Sequence, residues 1–166
     1  MRAVGRITLR AFALTVAVVA ASPVAPAGAE RGSQPARDTV VGTVEIPVLG
    51  VTQTIRSGIT DRQFNRGMGW WPGTALPGEE GNMVLAGHRT ARPRPLWDIQ
   101  KMKVGDEIFV TRRGSRHRYV VTRTRVVRND ALWITDQTED ATLTMFTCHP
   151  RGSTRQRYVV TASLAP

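Results

Sequence analysis

The sequence contains a single cysteine, Cys148, among its 166 residues, so the chain has no internal disulfide. It also lacks a Cys-x-x-Cys pair, the common signature of a structural zinc site. We find no internal repeat and little helical periodicity. The fold must therefore be held together by the packing of apolar side chains, without covalent cross-links.

Acidic residues are also scarce: 13 Asp and Glu stand against 23 Lys and Arg, which gives a formal charge of +10. Such a balance fits an anionic partner, either a polymer of the bacterial envelope or a nucleic acid. A nucleic-acid surface is expected to interleave aromatic and basic residues, but only Tyr119 does so within the basic segment 112–128. We therefore expect no nucleic-acid partner.

Long apolar runs are absent except near the N-terminus. Residues 1–10 carry three arginines and no acid, 11–21 are small and apolar apart from Thr15, and 22–30 are rich in Pro and Ala. This is the layout of a secretory signal with cleavage after Ala29. The run is shorter than the roughly 20 residues of a membrane span. A cleaved signal is favoured, with a retained N-terminal membrane anchor as the alternative, and either predicts an extracytoplasmic protein of the cell envelope.

The remaining chain predicts one domain. We assign residues 1–29 to the signal or anchor, 30–38 to a polar linker and 39–166 to the folded domain. Removal of the first 29 residues leaves 137, enough for one hydrophobic core, and lowers the charge to +7 because three arginines are lost.

Short alternating apolar segments dominate this domain and predict an all-β barrel or sandwich of seven or eight strands. The segment 67–82 is dense in Gly and Pro and predicts a long loop. Thr60 is a candidate cap for a short helix. The predicted strands are 39–48, 51–55, 83–87, 107–112, 119–127, 142–147 and 157–163, and the predicted helix is 61–65.

Three residues with catalytic chemistry stand at predicted strand ends. Cys148 ends an apolar run just before a His-Pro pair, His88 follows a short buried strand, and Arg157 begins the last strand. A lone thiol is most often a small buried hydrophobe, but the strand-end position and the nearby arginines favour a reactive thiolate. A thiol, an imidazole and a guanidinium together form a complete set for acyl transfer.

Two motifs resemble one known family. Thr-Met-Phe-Thr-Cys at 144–148 is similar to the Thr-Leu-x-Thr-Cys signature of sortases, with Met145 replacing the usual leucine. The block 71–90, which ends in Gly-His-Arg-Thr, resembles the sortase segment that contains the catalytic histidine. Together with Cys-His-Pro after the signature, it is most similar to class E sortases of actinobacteria, although Ala-Arg-Pro at 91–93 replaces an aromatic residue and a glycine. The resemblance covers 39–165.

The resemblance implies a closed eight-stranded β-barrel with short helices in its loops. It also implies a cysteine transpeptidase that cleaves a Leu-Ala-x-Thr-Gly or Leu-Pro-x-Thr-Gly sorting signal between Thr and Gly. Cys148 would be the nucleophile, His88 the general acid and base, and Arg157 the oxyanion or substrate clamp. Thr147 and Ala86 would contact substrate. The implied partners are surface proteins with a C-terminal sorting signal and an amine of a peptidoglycan precursor, and no cofactor or metal is implied.

Some assignments stay open at this stage. Arg155 lies two residues before Arg157, so both would share one side of an extended segment and either could act as the clamp. His149 should face away from its neighbour Cys148, and His117, near a hairpin tip, is predicted to be a surface residue.

A zinc site built on these side chains has no supporting spacing. The acidic residues Asp136, Glu139 and Asp140 resemble the calcium-binding loop of some sortases, but an ordinary solvated acidic loop is favoured. Trp70, Trp71 and Trp133 either line a groove or pack loops onto the barrel.

Two other functions compete with the transpeptidase. A basic exported β-domain that binds an anionic envelope polymer would explain the charge and leave Cys148 incidental. Another envelope cysteine acyl-transferase, such as an L,D-transpeptidase, usually has its histidine in a Ser-His-Gly-Cys run close before the cysteine. Here His88 lies far upstream of Cys148, which disfavours that alternative.

Overall fold

The computed structural model describes residues 36–166. The predicted signal and most of the predicted linker lie outside the described residues. The strands are β1 Val40–Ile46, β2 Val51–Ser57, β3 Met68–Trp70, β4 Gly81–Gly87, β5 Glu107–Arg112, β6 Ser115–Arg128, β7 Ala141–His149 and β8 Gln156–Leu164. One α-helix, α1, spans Asp61–Phe64, and short 3₁₀ turns span Pro47–Leu49, Ile99–Lys101 and Leu132–Thr135. Within 36–166, no helix has the length and apolar character needed to cross a bilayer.

The strands close into a barrel in the order β1-β2-β3-β4-β7-β8-β6-β5. Closure is made by antiparallel pairing of β1 with β5, and the pairs β2–β3 and β4–β7 are parallel. The predicted eight-stranded barrel is confirmed. Because β4 and β7 are parallel neighbours, their C-terminal ends meet at one rim although they lie far apart in the sequence.

The interior of the barrel is filled by alternate residues of each strand. In β4 and β7 these are Met83, Leu85, Leu143 and Met145, all inaccessible to solvent. The intervening residues of the same two strands face outward, where loops cover them. The wall formed by β4 and β7 therefore has a packed inner face and a loop-covered outer face, and the candidate site develops on the outer face.

The prediction of an unbroken loop over 67–82 is wrong, because β3 lies within it. Met68–Trp70 pairs in parallel with β2 and antiparallel with β4. Trp70 is fully buried, and its indole Nε1 donates to the carbonyl oxygen of Ala75 at 2.9 Å. Pairing with β2 and β4 and the buried indole of Trp70 stabilise this strand. Gly67 and Gly69 interrupt the alternation of apolar residues that would predict it from sequence.

The hairpin between β5 and β6 has a two-residue turn, shorter than the gap between the predicted strands 107–112 and 119–127. Only Arg113 and Gly114 form it, with φ values of 50° and 84°, and Arg112 pairs with Ser115. Two central residues with positive φ match the right-handed twist of the flanking strands. Strand β6 consequently begins at Ser115, earlier than the predicted 119.

Helix α1 is short but is stabilised by an N-terminal cap and by ion pairs with Asp38. The Thr60 amide and hydroxyl both donate to Oε1 of Gln63, which closes the predicted N-terminal cap. Asp38, the last residue of the predicted linker, contacts Arg62 at 2.8 Å and Arg66 at 3.5 Å. Burial alone would raise the pKa of Asp38, but the hydrogen bond from Gln63 and these two cations lower it below its ordinary value.

Candidate active site

The parallel pairing of β4 and β7 brings His88 and Cys148 together. The register pairs Leu85 with Met145 and Ala86 with Phe146. Two further steps along both strands set His88 beside Cys148, on strands about 4.8 Å apart. Both residues belong to the outward-facing set, so their side chains leave the wall on the same side.

These side chains line a cleft of about 520 Å³ on the outer face of the wall. Cys148, a free cysteine, is partly exposed within it, and Arg157 lines it as well. The predicted substrate contacts Ala86 and Thr147 also line the cleft. Apolar side chains from three segments complete the walls, among them Trp71, Phe146 and Leu132. The cleft thus joins three polar reactive groups to an apolar trough.

His88 is held by α1 on the side of its Nε2 atom. This nitrogen lies 3.2 Å from Oδ1 of Asn65 and 3.6 Å from Oδ1 of Asp61. The ring also meets the edge of Phe64, with centroids 5.3 Å apart. A proton on Nε2 would be donated to Asn65, which leaves Nδ1 free to accept or give a proton on the other side of the ring. Sequence reasoning did not find Asn65, whose approach depends on the β2–β3 connection.

Arg157, and not Arg155, stands opposite the thiol. The antiparallel register of β7 and β8 pairs Cys148 directly with Arg157. Its NH1 donates to the carbonyl oxygens of Thr154 at 2.8 Å and Gln156 at 3.0 Å, which fixes the guanidinium at the strand start. Within residues 36–166 no carboxylate pairs with it, so its charge is available to the cleft. Arg155 precedes the strand and does not line the cleft, so strand alternation does not apply to it.

Thr147 ties the two central strands together just before the thiol. Its side chain is 2% exposed, and its Oγ1 donates to the carbonyl oxygen of Gly87 at 2.7 Å. This bond joins the residue before Cys148 to the residue before His88 and so helps to set their separation.

The residues that follow His88 and Cys148 form a second, buried cluster behind the cleft. Arg89 is 4% exposed, and its NH1 donates to the carbonyl oxygen of Cys148 at 3.2 Å and to Nδ1 of His149 at 2.7 Å. Its NH2 donates to Oε1 of Gln100 at 2.6 Å. The His149 ring lies 5.8 Å from that of Tyr158. The prediction that His149 faces away from the thiol agrees with this geometry, whereas the role of Arg89 escaped sequence reasoning; its position one step beyond His88 was the available signal.

Burial governs the electrostatics of this cluster. It lowers the pKa of Arg89 below its ordinary value, and the charge of Arg151 lowers it further. It also lowers the pKa of His149, to which the Arg89 charge adds. The lowered pKa of His149 favours a neutral ring beside the Arg89 guanidinium.

A second arginine bridges the loops that follow β4 and β7. Arg151 donates to the carbonyl oxygen of Trp97 at 3.1 Å and to Oδ1 of Asp98 at 2.7 Å. Its guanidinium carbon lies 4.2 Å from the centroid of the Trp97 ring. A hydrogen bond from Lys101 and the charges of Lys101 and Arg151 keep the pKa of Asp98 below its ordinary value. The segments that follow β4 and β7 are therefore connected at two places, by Arg89 and by Arg151.

Several other predicted candidates lie away from the cleft. His117 is on β6 opposite Val110, and Trp133 is 46% exposed beneath the Arg125 guanidinium. Trp71 lines the cleft, so the three tryptophans have three different environments. The loop acids Asp136, Glu139 and Asp140 are exposed. Among residues 36–166, no three His, Cys, Asp or Glu side chains are arranged to hold a metal ion.

A closed β-barrel with a thiol, an imidazole and a guanidinium in one rim cleft defines a class of barrel proteins equipped for acyl transfer. The profile of the sortase domain matches residues 44–165, and the chain belongs to the sortase family. It is 30% identical over 129 residues to sortase A of Listeria monocytogenes and 28% identical over 123 residues to sortase D of Bacillus subtilis. These alignments cover 77% and 72% of this chain but 58% and 61% of the relatives, so the chain spans about three fifths of their length.

Solved structures agree with this assignment. A Clostridium perfringens sortase D5 transpeptidase superposes with a TM-score of 0.73 at 30% identity, over 79% of this chain and 82% of that one. Listeria monocytogenes sortase A superposes with a TM-score of 0.72 at 28% identity, over 78% and 89%. The similarity therefore extends over most of the described barrel.

Proposed function

We propose that this protein is a cysteine transpeptidase that cleaves a sorting signal between Thr and Gly and transfers the acyl group to an amine. The convergence of Cys148, His88 and Arg157 on one cleft is the observation that supports it most. Membership of the sortase family agrees with it, and one structural neighbour is described as a transpeptidase.

In the proposed reaction the Cys148 thiolate attacks the carbonyl carbon of the threonine. The carbon–sulfur bond forms, the carbonyl oxygen becomes an oxyanion, and the Arg157 guanidinium stabilises it. Collapse breaks the carbon–nitrogen bond, and the imidazolium of His88 gives its proton to the leaving glycine amine. A thioester on Cys148 remains.

The second half of the reaction regenerates the enzyme. Neutral His88 takes a proton from the incoming amine, which attacks the thioester carbon. The new amide forms as the carbon–sulfur bond breaks, and the thiolate of Cys148 is released. His88 ends as the imidazolium, ready for the next cycle.

We propose that the apolar trough beside these groups binds the rest of the sorting signal. Trp71, Phe146 and Leu132 supply apolar surface for an extended peptide, with Ala86 and Thr147 at the reactive end. The volume is within the range of about 300–1,000 Å³ typical of ligand sites. Gly-His-Arg-Thr at 87–90 and the Cys-His-Pro run support class E, which implies a preference for Leu-Ala-x-Thr-Gly.

We also propose an envelope location. The N-terminal segment 1–29 would direct export, and either its retention or its removal would leave the barrel outside the cytoplasm. The substrates would be surface proteins with a C-terminal sorting signal, and the acceptor an amine of a peptidoglycan precursor. N-terminal sequencing of protein recovered from membranes tests whether the segment is cleaved after Ala29.

The activity is tested with the full chain, a Leu-Ala-x-Thr-Gly peptide, its Leu-Pro-x-Thr-Gly counterpart and a glycine-based amine, with products identified by mass spectrometry. We expect an amine-linked product cut after Thr, and a thioester adduct on Cys148. Cys148→Ala should abolish both. If neither peptide is cut and no adduct forms, transpeptidation of these signals is wrong, and binding of an anionic envelope polymer becomes the function to test.

A further inference from the structure

The guanidinium of Arg89 is buried without a partner of opposite charge. In the part of the chain that the structure describes, no carboxylate lies within 4.0 Å of it, and its Nε has no hydrogen-bond partner. Its three acceptors, the Cys148 carbonyl, His149 and Gln100, carry no formal charge. Burying an unpaired cation costs free energy. Stability alone does not account for an arginine here.

One atom of this guanidinium makes two contacts at the nucleophile. NH1 reaches the carbonyl oxygen of Cys148 and, at the same time, Nδ1 of His149. Arg89 itself follows His88 directly. Its side chain therefore links the backbone beside His88 to the backbone of Cys148, beyond Ala86 and Phe146, the last residues of β4 and β7 that pair in register.

The contact with His149 fixes the protonation state of that ring. Nδ1 accepts from Arg89, so the proton is on Nε2 and the ring is neutral. A protonated ring would present a second donor to the guanidinium and place two cations together. The other titratable groups near the ring are Tyr158 on β8 and Cys148 on its own strand. Arg151 and the carboxylate of Asp98 act on Arg89 from the neighbouring loops, in opposite directions. Among residues 36–166, no carboxylate within 4.0 Å of the ring offsets a positive charge on it.

We propose that Arg89 is a positioning residue for the nucleophile. Its hydrogen bond to the Cys148 carbonyl depends on a neutral His149 and is lost when that ring is protonated at low pH. The proposal rests on the transpeptidase function and adds two residues that act through Cys148 without touching substrate. Arg89 fixes the position of the C-terminal end of β7, and the protonation state of His149 makes this positioning dependent on pH.

The sign of the pH effect follows from the lowered pKa of His149. Between the ordinary value of 6.5 and the lower folded value, the unfolded chain binds the proton and the folded chain does not. The free energy of unfolding therefore decreases as pH falls through this window. Activity of the folded enzyme should decrease at still lower pH, as pH falls through the lowered pKa of His149, because protonation of the folded ring breaks the contact with Arg89.

The first test replaces His149 by asparagine, whose Oδ1 can accept from Arg89 in the position of Nδ1 but does not titrate. At about pH 7.5, where the imidazole is neutral, kcat of His149→Asn should stay within about twofold of wild type. At a pH below the lowered pKa of His149, the variant should retain a several-fold larger fraction of its neutral rate than wild type does. Superimposable pH profiles would overturn the pH dependence.

The second test replaces Arg89. Arg89→Met should lower kcat about 10²-fold with little change in KM, the effect expected of a nucleophile displaced by about 1 Å. Arg89→Lys should recover part of the loss because an ammonium can still donate to one of the two acceptors. The control is Arg56→Met, since Arg56 is partly buried, lies away from the cleft and donates to a backbone carbonyl, that of Asp38 at 3.0 Å, beside the Asp38 carboxylate at 3.8 Å. Equal losses in the Arg89 and Arg56 variants would reduce Arg89 to a structural residue.

Two measurements on the same proteins do not depend on turnover of a peptide. The pKa of His149, followed by NMR, should rise in Arg89→Met, and the iodoacetamide alkylation rate of Cys148 should fall. If wild type fails to turn over peptide but both shifts occur, the transpeptidase function is wrong and the positioning pair stands. If wild type is active and neither shift occurs, the pair is wrong. Should Arg89→Met fail to fold, His149→Asn and Arg89→Lys decide by the same readouts.

Discussion

The dipeptides His88-Arg89 and Cys148-His149 occupy equivalent places at the ends of two parallel strands, yet their two halves meet opposite environments. His88 and Cys148 line an open cleft, whereas Arg89 and His149 meet each other behind it, with the guanidinium almost fully buried. One residue step along a strand separates the two faces. The chain thereby places reactive groups and the groups that hold them in adjacent positions of the same strands.

The two faces also differ in the exposure of their side chains and in the contacts that fix them. On the cleft face the reactive side chains keep some exposure and have few contacts, so that substrate can reach them. On the buried face each polar atom has a fixed neutral acceptor or none, so that a change there acts through geometry. Substitutions on the cleft face should affect catalysis with little change in stability, whereas those on the buried face should affect both.

The largest effect on the cleft face is expected for His88→Gln. General acid–base catalysis contributes about 10²–10⁴-fold, so kcat/KM for the sorting peptide should fall by that factor while the melting temperature stays close to wild type. His117→Gln is the matched control, because His117 lies on β6 away from the cleft. A wild-type rate in His88→Gln would contradict the role of His88 as general acid and base.

Arg157→Gln should have the next largest effect. Loss of one oxyanion donor typically costs about 10²–10³-fold in kcat, and the partly exposed side chain contributes little to packing. Arg155→Gln, two residues earlier, should stay near the wild-type rate since Arg155 does not line the cleft. If the loss appears in Arg155→Gln instead, the register of β8 does not identify the clamp.

The barrel and the cleft residues could be predicted from sequence, since alternation and turn residues are local signals and the two motifs are specific. What could not be predicted depends on non-local pairing. Strand β3 is masked by Gly67 and Gly69 and exists because β2 and β4 flank it. The approach of Asn65 to His88 depends on where that strand directs the chain, and an arginine beside a catalytic candidate gives no local sign of burial.

The choice between Arg155 and Arg157 illustrates the same limit. Sequence alternation places both on one side only if both belong to the strand. In the structure β8 begins at Gln156, so Arg155 is in the preceding loop and Arg157 pairs with Cys148. A strand boundary that shifts by one or two residues therefore decides which guanidinium faces the thiol, and such boundaries are set by partner strands.

Thr147→Val should mark the border between the two faces. The change keeps the shape of the side chain but removes the donor to the carbonyl oxygen of Gly87. Loss of one buried hydrogen bond costs about 0.5–1.5 kcal/mol of unfolding free energy, measurable by urea denaturation. Thr52→Val is the control, because Thr52 is exposed on β2. Unchanged stability in Thr147→Val would show that this bond does not join the two strands.

The smallest effect is expected for Asn65→Ala, which removes the nearest partner of His88 Nε2. Loss of one neutral hydrogen bond costs about 0.5–1.5 kcal/mol, so kcat/KM should fall only several-fold. The carboxylate of Asp61 lies 3.6 Å from the same nitrogen, and its side chain is 85% exposed and free to move closer. The double variant Asp61→Ala/Asn65→Ala should therefore lose more than the product of the two single losses, because each acceptor substitutes for the other. Strictly multiplicative losses would mean that α1 does not orient His88 through these two side chains.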